Sequence, residues 1–183
     1  MKKILIIFLL LCLLLLTGCV RVVDSTMEYS IPGFKEYYKI YGYEETESYL
    51  REGHLDFATI ENVIFCPRIK EISHENCRLF LTAHVLDKEI PVTVNRFSLV
   101  TKNGLTLCEE DALDFLLEFE SETETLLYGT VTQDFEMNDS WYFAGNELLL
   151  TYTVTVGEGE NKIQKEFSYT VTLIGHKALL MPT

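Results

Sequence analysis

Glu147-Leu-Leu-Leu-Thr-Tyr-Thr-Val-Thr-Val156 and Ile163-Gln-Lys-Glu-Phe-Ser-Tyr-Thr-Val-Thr-Leu173 carry the clearest structural signal in the chain. In the first run Leu148, Leu150, Tyr152, Val154 and Val156 alternate with Leu149, Thr151, Thr153 and Thr155. In the second, Ile163, Phe167, Tyr169, Val171 and Leu173 alternate with Gln164, Glu166, Ser168, Thr170 and Thr172. A period of two with one apolar side marks strands of an antiparallel sheet that bury one face and wet the other. Inward residues are even-numbered in one run and odd-numbered in the other, so paired numbers must sum to an odd value or one strand turns its apolar face to water. A four-residue loop, Gly157–Glu160, satisfies this by pairing Val156 with Asn161. It is the loop expected here, with Val154 opposite Ile163, Leu150 opposite Phe167 and Leu148 opposite Tyr169; a six-residue loop meets the same parity.

Upstream, the same period recurs. Leu79, Leu81, Ala83 and Val85 define one face of a strand over Cys77–Asp87, with Arg78, Thr82 and His84 on the other. Leu55–Phe65, Ile90–Val100 and Leu126–Phe135 read as further strands. Lys102-Asn103-Gly104 reads as a hairpin turn returning through Leu105–Leu107, because Asn-Gly supplies the positive φ that tight hairpins need. The segment Cys108–Thr125 carries eight acidic and no basic residues. With Leu113, Leu116 and Leu117 at helical spacing, a short helix is expected over Glu109–Phe119. Short strands at even spacing with turn signals between them predict a mainly β chain, an antiparallel β-sandwich with one or two short helices, over 54–175. This run of strands resembles the immunoglobulin-like domains of bacterial surface lipoproteins, although the cysteine–tryptophan–cysteine signature is absent, Trp141 following every cysteine.

Six of the ten tyrosines, with Phe34, crowd into 29–49. Phe34, Tyr37, Tyr38, Ile40 and Tyr41 sit at helical spacing and predict a short helix packed on the domain and ended by Gly42. A second helix is expected at Glu44–Arg51, with Thr46 as its cap and Gly53 at its end. We read 34–53 as a partly helical Tyr-rich segment, 19–33 as a tether and 176–183 as a C-terminal tail.

The chain opens with Lys2-Lys3, an apolar block Ile4–Leu16, then Leu16-Thr17-Gly18-Cys19. A positive start, an apolar middle of about 7–15 residues and small residues at the cut make a signal peptide, and the block is short of the roughly 17–25 residues of a membrane span. Leu16–Cys19 resembles the lipobox of bacterial lipoproteins. The resemblance covers 1–19 alone and implies cleavage between Gly18 and Cys19, with a diacylglyceryl group on the Cys19 thiol. Cys12 would leave with the signal peptide 1–18. Removal of Lys2 and Lys3 would take the net charge from −13 to −15, a surface that repels nucleic-acid phosphates and anionic lipid headgroups.

Little else points to chemistry. Cys66, Cys77 and Cys108 remain, and Cys66 with Cys77 forms a candidate disulfide across a short connection. The histidines His54, His74, His84 and His176 share no zinc-type spacing. Asp134-Phe-Glu136-Met-Asn138-Asp139 lacks the glycine and the closing glutamate of a calcium loop. Catalytic-serine and phosphate-loop motifs are missing, so no catalytic residue, metal or cofactor is assigned. Tyr38, Tyr41, Trp141 and Tyr142 are the candidate ligand-facing residues. The expectation is a non-enzymatic lipoprotein, lipid-anchored and extracytoplasmic at the cell membrane or outer membrane, that binds an envelope protein or small ligand and no nucleic acid. The alternative is an envelope enzyme or enzyme inhibitor working among the Tyr-rich segment and the Trp141 loop.

Overall fold

The computed structural model describes residues 27–73, 76–111, 113–136 and 147–175. Among these residues eleven strands follow in order: β1 (Met27–Ser30), β2 (Thr59–Ile60), β3 (Val63–Ser73), β4 (Asn76–Leu86), β5 (Val92–Thr101), β6 (Thr106–Glu110), β7 (Phe115–Leu116), β8 (Glu120–Ser121), β9 (Leu126–Glu136), β10 (Glu147–Val156) and β11 (Ile163–Gly175), with an α-helix, α1 (Tyr43–Arg51), between β1 and β2. All pairings are antiparallel. One sheet is β3-β4-β9-β8 and the other β11-β10-β5-β6, the A-B-E-D and G-F-C-C′ orders of an immunoglobulin-like sandwich. The chain is therefore mainly β and folds as an antiparallel β-sandwich.

β1 adds a feature to this plan. It pairs with β11 from Met27↔Gly175 to Ser30↔Thr172 and with β3 at Glu28↔Lys70, joining the two sheets into one hydrogen-bonded path. The sheets nonetheless face each other. Phe65 of β3 lies 6.4 Å from the ring of Tyr152 and 5.6 Å from that of Phe167, and Leu150, Val154 and Val171 are fully buried beside them. Burying one such aliphatic side chain contributes about 1.5–3 kcal/mol.

β4, β5, β9, β10 and β11 lie where the alternation placed them. The β10–β11 register keeps the required parity but by the longer loop: Val156 faces Ile163, Tyr152 faces Phe167, Leu150 faces Tyr169 and Leu148 faces Val171. The six residues Gly157–Lys162 form the connection because a 3₁₀ turn, Gly159–Asn161, closes inside it and the Gly157 N–H is held by the Pro91 carbonyl at 2.9 Å. Gly157 has φ +91, and a Cβ there would stand 2.8 Å from the Asn161 carbonyl.

Four expectations are corrected. Residues 27–33 are not tether, since β1 is built there and Ile31 is 1% exposed. The first strand does not start at Leu55; a 3₁₀ turn, Asp56–Ala58, precedes the short β2, and the long strand is β3. No helix spans Glu109–Phe119. That stretch runs along the sheet edge instead, Leu113 and Leu117 N–H groups donating to the Asn95 and Val92 carbonyls, which satisfies edge groups that a helix would leave bare. Its crowded carboxylates, with no basic partner one turn away, also disfavour a helix. The Phe34–Tyr41 helix shrinks to a 3₁₀ turn, Tyr37–Lys39, while α1 matches the second helix with Gly42, rather than Thr46, at its cap.

Candidate functional site

From Ile31 to Ile60 the chain forms a strap over the seam between β3 and β11. β3 needs this cover: Pro67 has no N–H to give, and among the described residues β3 pairs on that side at Lys70 with β1 and at Val63 and Ile64 with β2. Phe34, fully buried, fills the seam with its ring 5.2 Å from Phe57 and 5.5 Å from Tyr169. The Tyr38 hydroxyl donates to the Pro67 carbonyl. α1 is fastened by Glu47, whose carboxylate accepts hydrogen bonds from the Thr123 and Thr125 hydroxyls and pairs with Arg51; Arg51 in turn reaches Asp87 at 2.6 Å. Those hydroxyls first, then Arg51, hold the Glu47 carboxyl down at about 2.

Beneath the strap lies the most unusual polar group in the domain. The Tyr37 hydroxyl is 2.7 Å from His84 Nε2, and His84 Nδ1 is 3.9 Å from Glu122 Oε2, too far for a hydrogen bond. The His84 and Glu122 side chains are 4% and 10% exposed, and neither facing atom has a hydrogen-bond partner among the described residues. Burial pulls the imidazole down to about 4 and pushes the Glu122 carboxyl above its ordinary value. The Cys66 thiol sits against Tyr37, and burial raises it far more than that contact lowers it. The result is a sealed row of a thiol, a phenol and a neutral imidazole leading to a carboxyl. A buried thiol of this kind is inert as a nucleophile, so the row reads as structure under the strap.

The candidate ligand-facing residues do not converge. Tyr38 is spent on Pro67 and on stacking under Arg68, whose guanidinium lies 5.5 Å from its ring, while Tyr41 is 85% exposed. Trp141 and Tyr142 lie outside the described residues, as do Asn138 and Asp139. Of the acidic run before them, Asp134 is engaged with Arg78. The Cys66–Cys77 bridge is corrected: Cys77 pairs with Glu71 and Cys66 with Thr82. Five positions along β3 separate the two thiols by about 16 Å and put them on opposite faces. All three of Cys66, Cys77 and Cys108 are free thiols.

Between the sheets, Leu79, Leu81, Phe97, Val131, Leu150 and Tyr152 border a space of ≈ 10 Å³, no larger than one water needs. Among the described residues no group of three or more His, Cys, Asp or Glu side chains is placed to hold a metal ion. His84 and Glu122 were not foreseen as a site. The alternation put His84 on a wet face with Arg78 and Thr82, and nothing local signals a cover that arrives from Tyr37.

No family model matches the chain, and no curated protein matches it. Among solved structures, a protein from Archaeoglobus fulgidus is similar at a TM-score of 0.36 and 13% identity, over 66% of this chain and 100% of that one. A likeness at that level carries no argument.

Proposed function

We propose that this protein is an extracytoplasmic lipoprotein of the bacterial envelope, held by lipid on Cys19, whose immunoglobulin-like domain acts as a binding or structural module through its surface. The observation that carries the reading is the run Lys2-Lys3, Ile4–Leu16, Leu16-Thr17-Gly18-Cys19. Diacylation supplies two chains, enough for a stable anchor without help from the domain's surface.

Metabolic labelling with an alkyne fatty acid tests the anchor. Label is expected on the wild-type protein, and Cys19→Ser is expected to lose it and to leave the membrane fraction. Equal labelling of the two would overturn the reading.

A further inference from the structure

The hairpin between β5 and β6 turns on Asn103-Gly104, and Asn103 is the one asparagine of the sequence that a glycine follows. That pairing matters chemically as well as conformationally. The backbone nitrogen after an asparagine can attack the side-chain amide carbon, and a glycine there, having no Cβ, leaves the attacking nitrogen unshielded. Asn62 and Asn95 are placed differently: their side-chain amides donate to the Leu86 carbonyl and the Asp114 carboxylate, and Val63 and Arg96 follow them. Asn103 is exposed, and its amide makes no hydrogen bond to any described residue. Nothing lies within 4 Å of the place where a Cβ on Gly104 would stand.

What holds the nitrogen back is the buried Thr101. The Gly104 N–H donates to the Thr101 carbonyl at 2.9 Å and the Leu105 N–H to the Thr101 hydroxyl at 3.0 Å, while the Thr101 N–H reaches the Leu105 carbonyl at 2.8 Å. Gly104 takes φ +86, the left-handed residue that closes a three-residue hairpin loop. The turn must therefore release the Gly104 N–H before its nitrogen attacks. That release is a local event, because β6 ends its sheet with β5 as its only paired strand among the described residues, and such edges open well below the free energy of global unfolding.

We propose that Asn103-Gly104 is a self-modification site and that its product loosens the β6 edge. The Gly104 nitrogen, giving its proton to hydroxide, bonds to the Asn103 Cγ; the Cγ–Nδ2 bond breaks, ammonia leaves with a proton from water, and a cyclic imide remains. Water then adds at either imide carbonyl and reopens the ring, to aspartate when it adds at Cγ and to isoaspartate when it adds at the main-chain carbon. Water is the only co-reactant, and nothing is oxidised or reduced. Isoaspartate routes the main chain through Cβ and Cγ, which adds a methylene inside the short loop. The three hydrogen bonds that Thr101 makes across the turn no longer fit together at that length. Cys108, half-buried, packed on the core and paired with Leu99, is the side chain of β6 whose cover then weakens.

The test keeps the full chain folded at mildly alkaline pH, where hydroxide drives the attack, beside portions held mildly acidic and portions held in urea. Peptide mass spectrometry with electron-transfer fragmentation distinguishes asparagine, aspartate and isoaspartate at position 103, and thiol alkylation after return to neutral pH reads β6. Isoaspartate is expected at 103 in the folded alkaline sample, more slowly than in urea and faster than in acid, with Asn62 and Asn95 unchanged. Thr101→Val, which removes the hydroxyl that accepts from Leu105, is expected to speed the conversion, and Asn103→Gln to lose it. Cys108 of the converted protein is expected to alkylate about twofold to tenfold faster, the range for one lost hydrogen bond, whereas in Asn103→Gln it keeps its rate through the same incubation. Position 103 left intact in the folded chain while the urea sample converts would overturn the site. Conversion with Cys108 unchanged would overturn the loosening of β6.

Discussion

His84 makes an acid-sensitive residue out of an ordinary strand position. Its value of about 4, against the usual 6.5, means that the fold holds it neutral. Its contribution is therefore complete above pH 6.5 and is lost as the pH falls toward 4. Glu122 works the other way: raised by burial, it contributes most below 4.5 and less as the pH rises. The melting temperature is expected to drop between pH 7 and pH 5. Glu122→Gln should make that drop steeper and His84→Gln shallower, as followed by circular dichroism across the range. Tyr37→Phe strands the His84 Nε2 atom and is expected to cost about 1–3 kcal/mol in urea titrations. Thiol alkylation of the native protein should modify Cys108 first, since Cys66 and Cys77 are buried. Denaturation without reductant should open all three, and a pair still blocked would restore the disulfide.

At the scale of elements, legibility follows cover. β4, β10 and β11 were readable because one face of each meets the core and the other meets water or short polar neighbours. β3 was not, because the strap hides its outer face: Ile64 and Cys66 are buried outside while Phe65 and Ile69 are buried inside, so the run has no alternation to read. β7 and β8, two residues each, are too short to leave a period. The buried row at His84 was invisible for the same reason as β3, its cover coming from a segment 47 residues away. The β10–β11 loop shows how parity narrows register without choosing it; the choice lay in the Gly157 turn. Gly157→Ala, which forces a Cβ toward the Asn161 carbonyl, is expected to destabilise the domain by about 1–3 kcal/mol, measured by chemical denaturation. A smaller loss would mean that the loop relaxes toward the four-residue form.

On the scale of the whole molecule, two sheets share one core but are laced along one side by a strand and a strap. Leu150 of β10 is fully buried in that core. Leu150→Ala is expected to cost about 2–5 kcal/mol, large against the roughly 5–15 kcal/mol of a typical domain. β1 gives the lacing a mechanical meaning. It is the first element of the described residues, and its four residues are held to β11 by a short ladder and to β3 at one position. Any tension between a fixed Cys19 and the far end of the domain would load that ladder in shear before it reached the long β10–β11 pair. β1 would then act as a fuse: slipping free, it would carry the chain toward Ile31 and Phe34, and the β3–β11 seam would open while the rest of the sandwich stayed folded.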